Sequence, residues 1–260
     1  EKILNIENPA INSRILDAIE NADLDVSQQE KLEREFAKEI HLLTAEPRLD
    51  SIAKDFVGHY SDLWTSGKAM FVCLNKVTCV RMYNLVQKYW AQEIANLEDT
   101  IRHASQQEVQ ELTRKLKWMQ ETEMAVVISQ EQNEIQTFKK WGLDILPHRA
   151  KMEKRELDKE FKDKNNPFRV VFVCAMWLTG FDVPSLATMY VYKPMSGHNL
   201  MQAIARVNRV FGDKEGGLVV DYVGIASALK QAMHDYTGRD QKNYGDTDIS
   251  KAALTKFQEK

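Results

Sequence analysis

The sequence predicts an α/β domain, a parallel sheet covered by helices, with an added helical segment at its N-terminus. Short runs dominated by apolar residues, Ala69 to Leu74, Met124 to Ser129, Arg169 to Ala175, Leu186 to Tyr192 and Leu218 to Val223, have the length and side-chain type of strands buried on both faces. Amphipathic stretches separate them, and strands alternating with helices pair in parallel through right-handed crossovers. The 260 residues, 43% apolar and 28% charged with a formal charge of -3, are of the ordinary globular kind and long enough to bury a sizeable core.

Ahead of the first strand the pattern is helical. Ser27 with Glu30 has the form of a capping box, in which the hydroxyl accepts from an orphan helix amide and the carboxylate reaches back to the cap amide. Leu32, Phe36 and Ile40 then recur every four residues, and Leu49, Ile52 and Phe56 form a second stripe after Pro47. Residues 1–60 therefore read as a helical segment packing on the sheet domain, without evident chemistry. Gly67 introduces the first strand, and a long amphipathic helix runs from Lys76 to about Asn96. A second helix, Ser105 to Gln120, carries Leu112, Leu116 and Met119 on one side. After the strand at Met124, a charged helical segment with Met152, Leu157 and Phe161 ends at Asn165, Asn166 and Pro167. Two strands, a helix from Asn199 to Val210 and a last strand complete a sheet domain over residues 61–224. Ile225 to about Tyr236 opens a C-terminal helical extension over residues 225–260.

Composition excludes several classes. The longest apolar run, Val170 to Leu178, is about half the ~18–20 residues that a membrane span needs, and the N-terminus lacks the order of a signal peptide. Neither a membrane nor export is expected. The three cysteines, Cys73, Cys79 and Cys174, have neither metal-ligand nor redox spacing and read as buried thiols of a reducing cytoplasm. An isoelectric point near 6.1 argues against a uniformly basic nucleic-acid binder but is compatible with a local basic groove. The first residue, Glu1, suggests a piece of a longer protein.

In a parallel sheet, ligands gather outside the carboxyl ends of the strands. Two stretches fall there. In the first, Met176 to Pro184, Thr179 offers a hydroxyl, Gly180 lets a phosphate approach the backbone, and Asp182 can accept from a basic neighbour. A plain strand-end turn, with Gly180 at positive φ and Pro184 opening the next strand, explains the same residues. In the second, Arg206 and Arg209 are three apart on one helix face and Gln202 lies four before Arg206. Two guanidiniums projecting together suit a phosphate, because the fork geometry is bidentate and the charge persists at any pH. The competing reading is an amphipathic helix with solvated or carboxylate-paired arginines.

Other features point to structural roles. His198 reads as a helix cap, since no ligand partner stands at metal spacing from it. Ser66-Gly67-Lys68 has the ending of a phosphate loop but lacks the upstream glycine and precedes a strand. Asp221 reads as a strand-end cap or ion-pair partner. The five tryptophans, Trp64, Trp90, Trp118, Trp141 and Trp177, are too scattered for a stacking platform, although Trp177 lies in the first candidate loop. No metal site is expected in this chain.

The order strand, Thr179-Gly180-Phe181-Asp182-Val183-Pro184, strand, then Gln202-x-x-x-Arg206-x-x-Arg209 resembles motifs V and VI of the second RecA-like domain of superfamily 2 helicases and translocases. The fuller text, Val173 to Pro184, Lys193 to His198 and Met201 to Phe211, resembles one branch, the restriction (R) subunit of type I restriction–modification enzymes. The resemblance implies a three-layer RecA-like fold. It also implies that Arg209, assisted by Arg206, acts as an arginine finger on the γ-phosphate of ATP, with Gln202 and Asp182 in the network around the nucleotide. Thr179, Gly180 and Trp177 would contact DNA. Ala205 and Asn208 stand where the superfamily commonly has glycines, which bears on helix packing. ATP and Mg2+ are expected on the first RecA-like domain, whose phosphate loop and acidic motif this sequence does not contain, so the chain alone is expected not to hydrolyse ATP. No convincing cluster of nuclease carboxylates is evident. Partners implied are double-stranded DNA and the modification and specificity subunits of a cytoplasmic complex. Alternatives are domain 2 of another superfamily 2 translocase, or a non-catalytic RecA-like interaction module docking through its acidic N-terminal helices.

Overall fold

The computed structural model describes residues 37–178, 180–195, 197–207 and 217–225. The Ser27–Glu30 capping box and the C-terminal helix expected after Ile225 lie outside the described residues. The chain opens with α1 (Ala37–Leu43) and α2 (Glu46–Asp62), followed by β1 (Lys68–Cys73), α3 (Lys76–His103), α4 (Gln106–Glu121) and β2 (Glu123–Val127). Three short helices come next, α5 (Glu134–Lys140), α6 (Leu146–Lys154) and α7 (Leu157–Lys162). Then come β3 (Phe168–Val173), β4 (Leu186–Tyr192), α8 (Gly197–Val207) and β5 (Leu218–Asp221). Among the described residues, no helix is long and apolar enough to cross a membrane.

The five strands form one parallel sheet in the order β2-β3-β1-β4-β5. The chain is an α/β domain with flanking helices. β1 and β4 are buried along their whole length, as central strands covered on both faces must be. Connections run to one side of β1 through α3 and α4, and to the other through α8. Right-handed crossovers in opposite directions put those helices on opposite faces.

An aromatic row organises the core. Phe71 sits in register with Phe172 on β3 and Tyr190 on β4. Its ring stacks on theirs at 5.6 and 6.1 Å and lies 6.1 Å from Tyr222. Phe56 of α2 meets Phe71 and Tyr190 edge-on at 5.4 and 4.6 Å. The helix that carries Leu49, Ile52 and Phe56 is therefore seated in the core of the sheet domain. Arg48 adds two hydrogen bonds, from Nε to Tyr192 Oη at 2.9 Å and from Nη2 to the Tyr222 carbonyl at 2.8 Å.

Helix ends follow local chemistry. Asn75 caps α3 by accepting from the Thr78 amide at 2.8 Å, and the Ser105 amide donates to Glu108 at 3.0 Å at the start of α4. Two helical features differ from the sequence pattern. α5 has no long apolar stripe, burying Phe138 and Glu134, and the segment expected as one helix before Pro167 is two, α6 and α7. At the break, Arg155 is drawn into ion pairs with Glu123 and Glu160, which tie its neighbourhood to β2 and α7.

Candidate functional site

The carboxyl ends of β3, β1 and β4 lie side by side and bring together Cys174, Leu74 and Lys193. Lys193 Nζ donates to the Cys174 carbonyl at 3.2 Å, and Cys174 Sγ lies 3.7 Å from the Leu74 carbonyl. The segment leaving β3 and the segment leaving β4 are thereby tied together across the end of β1. Lys76, in the first turn of α3, ion-pairs with Glu131 beside the end of β2. Lys76 and the Asn75 cap were not singled out by sequence reasoning, and Lys193 was quoted only as the first residue of a resembling stretch, with no role given to it. Their signal was available, a polar residue directly after each apolar run.

The loop after β3 is held from below and open above. Leu178, Phe181 and Val183 are buried, whereas Ala175, Met176, Gly180 and Asp182 are exposed. Trp177 has φ 67° and its ring stacks on Phe181 at 4.1 Å and 23°, with Phe161 at 5.7 Å on α7. Gly180 has φ 69°, and a Cβ there would meet nothing within 4 Å, so the residue is required by backbone conformation and not by lack of room. On α8, Leu200, Ala203 and Val207 are buried, with Gln202 and Ile204 partly exposed on the remaining face. Arg206 lies in the last turn of α8, whereas Thr179 and Arg209 lie outside the described residues.

Among the described residues, the one phosphate-loop-like stretch is not built to hold ATP. Lys68, the lysine of Ser66-Gly67-Lys68, starts β1 and points into the core, donating to the Phe168 and Glu160 carbonyls at 2.8 and 3.1 Å. A phosphate cannot claim a lysine so placed. Among the described residues, no three His, Cys, Asp or Glu side chains converge to hold a metal. Asp221 accepts from the amides of Val223 and Gly224, both at 2.9 Å, and so shapes the turn after β5.

The sequence profile of domain 3 of the type I restriction enzyme subunit R matches residues 65–224. This chain belongs to that family. It is 35% identical over 229 residues to the HindI type I restriction enzyme endonuclease subunit of Haemophilus influenzae, covering 85% of this chain and 19% of that one. It is also 35% identical over 243 residues to a Methanocaldococcus jannaschii protein assigned as the MjaIXP endonuclease subunit, with 92% and 20% covered. The chain thus spans about a fifth of the length of these relatives. A solved fragment of an HsdR subunit of a type I restriction enzyme from Vibrio vulnificus is a more distant likeness, with a TM-score of 0.42 and 13% identity over 77% of this chain and 30% of that one.

In this R-subunit domain three of the five tryptophans cluster, while Trp177 stacks on Phe181 and Trp141 lies under Arg81. Trp64, Trp90 and Tyr60 gather around Trp118, at 6.5, 5.8 and 5.5 Å from its ring. Trp64 and Trp118 border a cleft of about 400 Å³ at the amino ends of the strands, also lined by Gly67, Lys68, Arg169 and Ser185. Its two inner cations are already engaged, Lys68 as above and Arg169 with the Trp118 carbonyl and Thr122 Oγ1 at 3.2 and 3.0 Å. That hollow is a structural junction at the edge opposite the strand ends that carry the loop of residues 176–184.

Proposed function

We propose that this chain is the second motor domain of an ATP-dependent DNA translocase within a type I restriction enzyme R subunit. The observation that carries the reading is the 3.2 Å bond between Lys193 Nζ and the Cys174 carbonyl. It supports a site in which the loop bearing Gly180 and Asp182 and the helix bearing Gln202 and Arg206 work from one edge of the sheet, with Thr179 and Arg209 assigned to it by their nearness in sequence. Residues 61–224 form the motor unit, with residues 1–60 as its helical N-terminal flank and 225–260 as a C-terminal extension.

In this reading the nucleotide, with Mg2+, is held mainly by a first RecA-like domain elsewhere in the subunit, and its hydrolysis supplies the free energy for movement. Arg209, assisted by Arg206, directs positive charge to the γ-phosphate from across the interdomain cleft, where charge develops in the transition state. Gln202 and Asp182 connect that contact to the loop. Thr179 and Gly180 meet the DNA backbone, so affinity falls steeply with salt and depends little on sequence. Opening and closing of the cleft then becomes stepping along duplex DNA before cleavage. The modification and specificity subunits complete a cytoplasmic complex.

The test is DNA-stimulated ATP hydrolysis by the complete R subunit carrying Arg209→Ala, with ATP binding followed in parallel. Turnover is expected to fall ~10³-fold or more with ATP still bound. Turnover near wild type would make Arg209 a structural helix residue and defeat the proposal.

A further inference from the structure

We propose that the Trp177–Phe181 ring stack is a clasp that positions the motif V backbone at Gly180 for a DNA phosphate, making Trp177 and Phe181 positioning residues for DNA engagement. The inference rests on the translocase reading above and adds what shapes its DNA-facing loop.

Trp177 is one of two non-glycine residues with positive φ among the described residues, the other being Asn133. Left-handed backbone costs an ordinary L-residue ~1–2 kcal/mol, and asparagine tolerates it far better than a bulky aromatic does. A tryptophan held there must be compensated by its side chain. Its ring lies 4.1 Å from that of Phe181 at 23°, an offset stack of the kind worth ~0.5–1.5 kcal/mol beyond burial. The two rings are four residues apart in a segment whose described residues are neither helix nor strand, so their contact closes the chain on itself around Leu178 and Gly180.

The clasp is anchored to the body of the domain. Phe161 of α7 lies 5.7 Å from Trp177 and 5.0 Å from Phe168 at the start of β3, and it is fully buried. Lys162 Nζ stands 4.8 Å from the centre of the Phe181 ring, a cation–π contact from the adjacent helix position. Trp177, Leu178 and Phe181 are thus fixed from below while Gly180 stays exposed, with open space where a side chain would be. A backbone amide binds a phosphate well only when its direction is set in advance, because ordering a loop on binding costs affinity. The strained tryptophan is explained if the fixed direction is what the loop supplies.

Two measurements on the complete R subunit test this. Amide hydrogen exchange over residues 178–182 reads the clasp without DNA, and the DNA concentration giving half-maximal ATPase stimulation reads its consequence. Trp177→Asn keeps a residue that tolerates positive φ and removes the ring, Phe181→Leu keeps the buried apolar anchor and removes the stack, and Trp177→Phe retains a ring. In the first two variants exchange is expected to quicken about tenfold and half-saturating DNA to rise roughly 5–10-fold, with turnover at saturating DNA within about twofold of wild type. Trp177→Phe is expected to behave nearly as wild type. Unchanged exchange overturns the clasp, as does faster exchange with unchanged half-saturation. If Trp177→Asn lowers the melting midpoint globally, Phe181→Leu carries the same two readouts. Absence of DNA stimulation in the wild type would defeat the translocase reading and, with it, any role in DNA engagement, whereas the exchange data would still judge the clasp.

Discussion

Arg149 and Glu134 form a two-pronged ion pair, with Nε to Oε1 at 2.7 Å and Nη2 to Oε2 at 2.8 Å. The same guanidinium donates to the Ile128 and Ser129 carbonyls at 2.9 and 3.0 Å, so one side chain from α6 secures both the exit from β2 and the start of α5. Their side chains are only 12% and 8% exposed, which leaves little water to replace a lost partner. Glu134→Gln or Arg149→Met should therefore lower unfolding stability by about 3 kcal/mol, whereas replacing both partners by apolar residues should cost less. Denaturant titration of the single and double variants checks this.

The same pair predicts a pH dependence. Hydrogen bonds from Arg149 hold the Glu134 carboxyl below its ordinary value of 4.5. Its contribution is therefore present above that ordinary value and disappears as pH falls through the lower folded-state value. The stability gap between wild type and Glu134→Gln should be constant near neutrality and narrow below about pH 4.5. A gap independent of pH in acid would contradict this origin.

Lys68 gives the opposite kind of dependence. Burial, the largest cause, pushes its ammonium down from 10.5 to about 8. Between those values the unfolded chain binds more protons than the folded one, so stability rises with pH, by at most ~1.4 kcal/mol per unit. Thermal melts from pH 8 to 10 should show wild type gaining relative to Lys68→Met, a comparison that cancels the contribution of other groups. A constant difference would mean that Lys68 stays fully charged in the folded protein.

Gly67 precedes β1 at φ 132°, and a Cβ there would stand 2.8 Å from the Ser185 carbonyl oxygen and 3.0 Å from Ala187 Cβ. Both neighbours belong to the closely paired start of β4 and have little room to move, since the Lys68 amide donates to that same carbonyl at 3.0 Å. Gly67→Ala should destabilise by more than ~1 kcal/mol, through strained φ and steric contact together. Gly180→Ala, with open space around it, should show only the conformational part. A denaturant midpoint for Gly67→Ala no lower than for Gly180→Ala would refute this ordering.

The cysteines should be unreactive in the folded protein. Cys73 and Cys79 are buried, burial pushes the Cys79 thiol well above its usual range, and Cys174, only partly buried, is pushed up to about 11. At pH 8 the Cys174 thiolate is then about one part in a thousand. Ellman's reagent should titrate all three thiols in denaturant and none rapidly without it.

The strands were legible because each needs only a run of buried side chains. Leu186 to Tyr192 is apolar apart from Thr188 and is β4 over that same span, since a central parallel strand is desolvated on both faces. The order of the strands was not legible, because a crossover of helices can carry the chain to either side at similar local cost. The break between α6 and α7 was equally hidden. It depends on Arg155 finding Glu123, which is 32 residues away in the chain.

For the candidate site the division is similar. The spacing of Gln202 and Arg206 marked a helix face, and Thr179-Gly180-Phe181-Asp182 marked a loop at a strand end, because local periodicity and turn chemistry are written in adjacent residues. Trp177 was expected only as a DNA contact, and its packing against Phe181 and Phe161 was not legible until the fold placed α7 beside the loop. Lys193 likewise stood only as the start of a quoted stretch until its ammonium was found on the Cys174 carbonyl. The amino-acid sequence by itself determined the class of fold, the buried strands and the order of the motif-bearing segments, all consequences of short-range pattern. Tertiary structure alone decided that Phe56 is core, that Lys68 is a structural amine and that the segments leaving β3 and β4 meet across β1. These outcomes depend on which distant surfaces exclude water together, and that is set when the sheet closes.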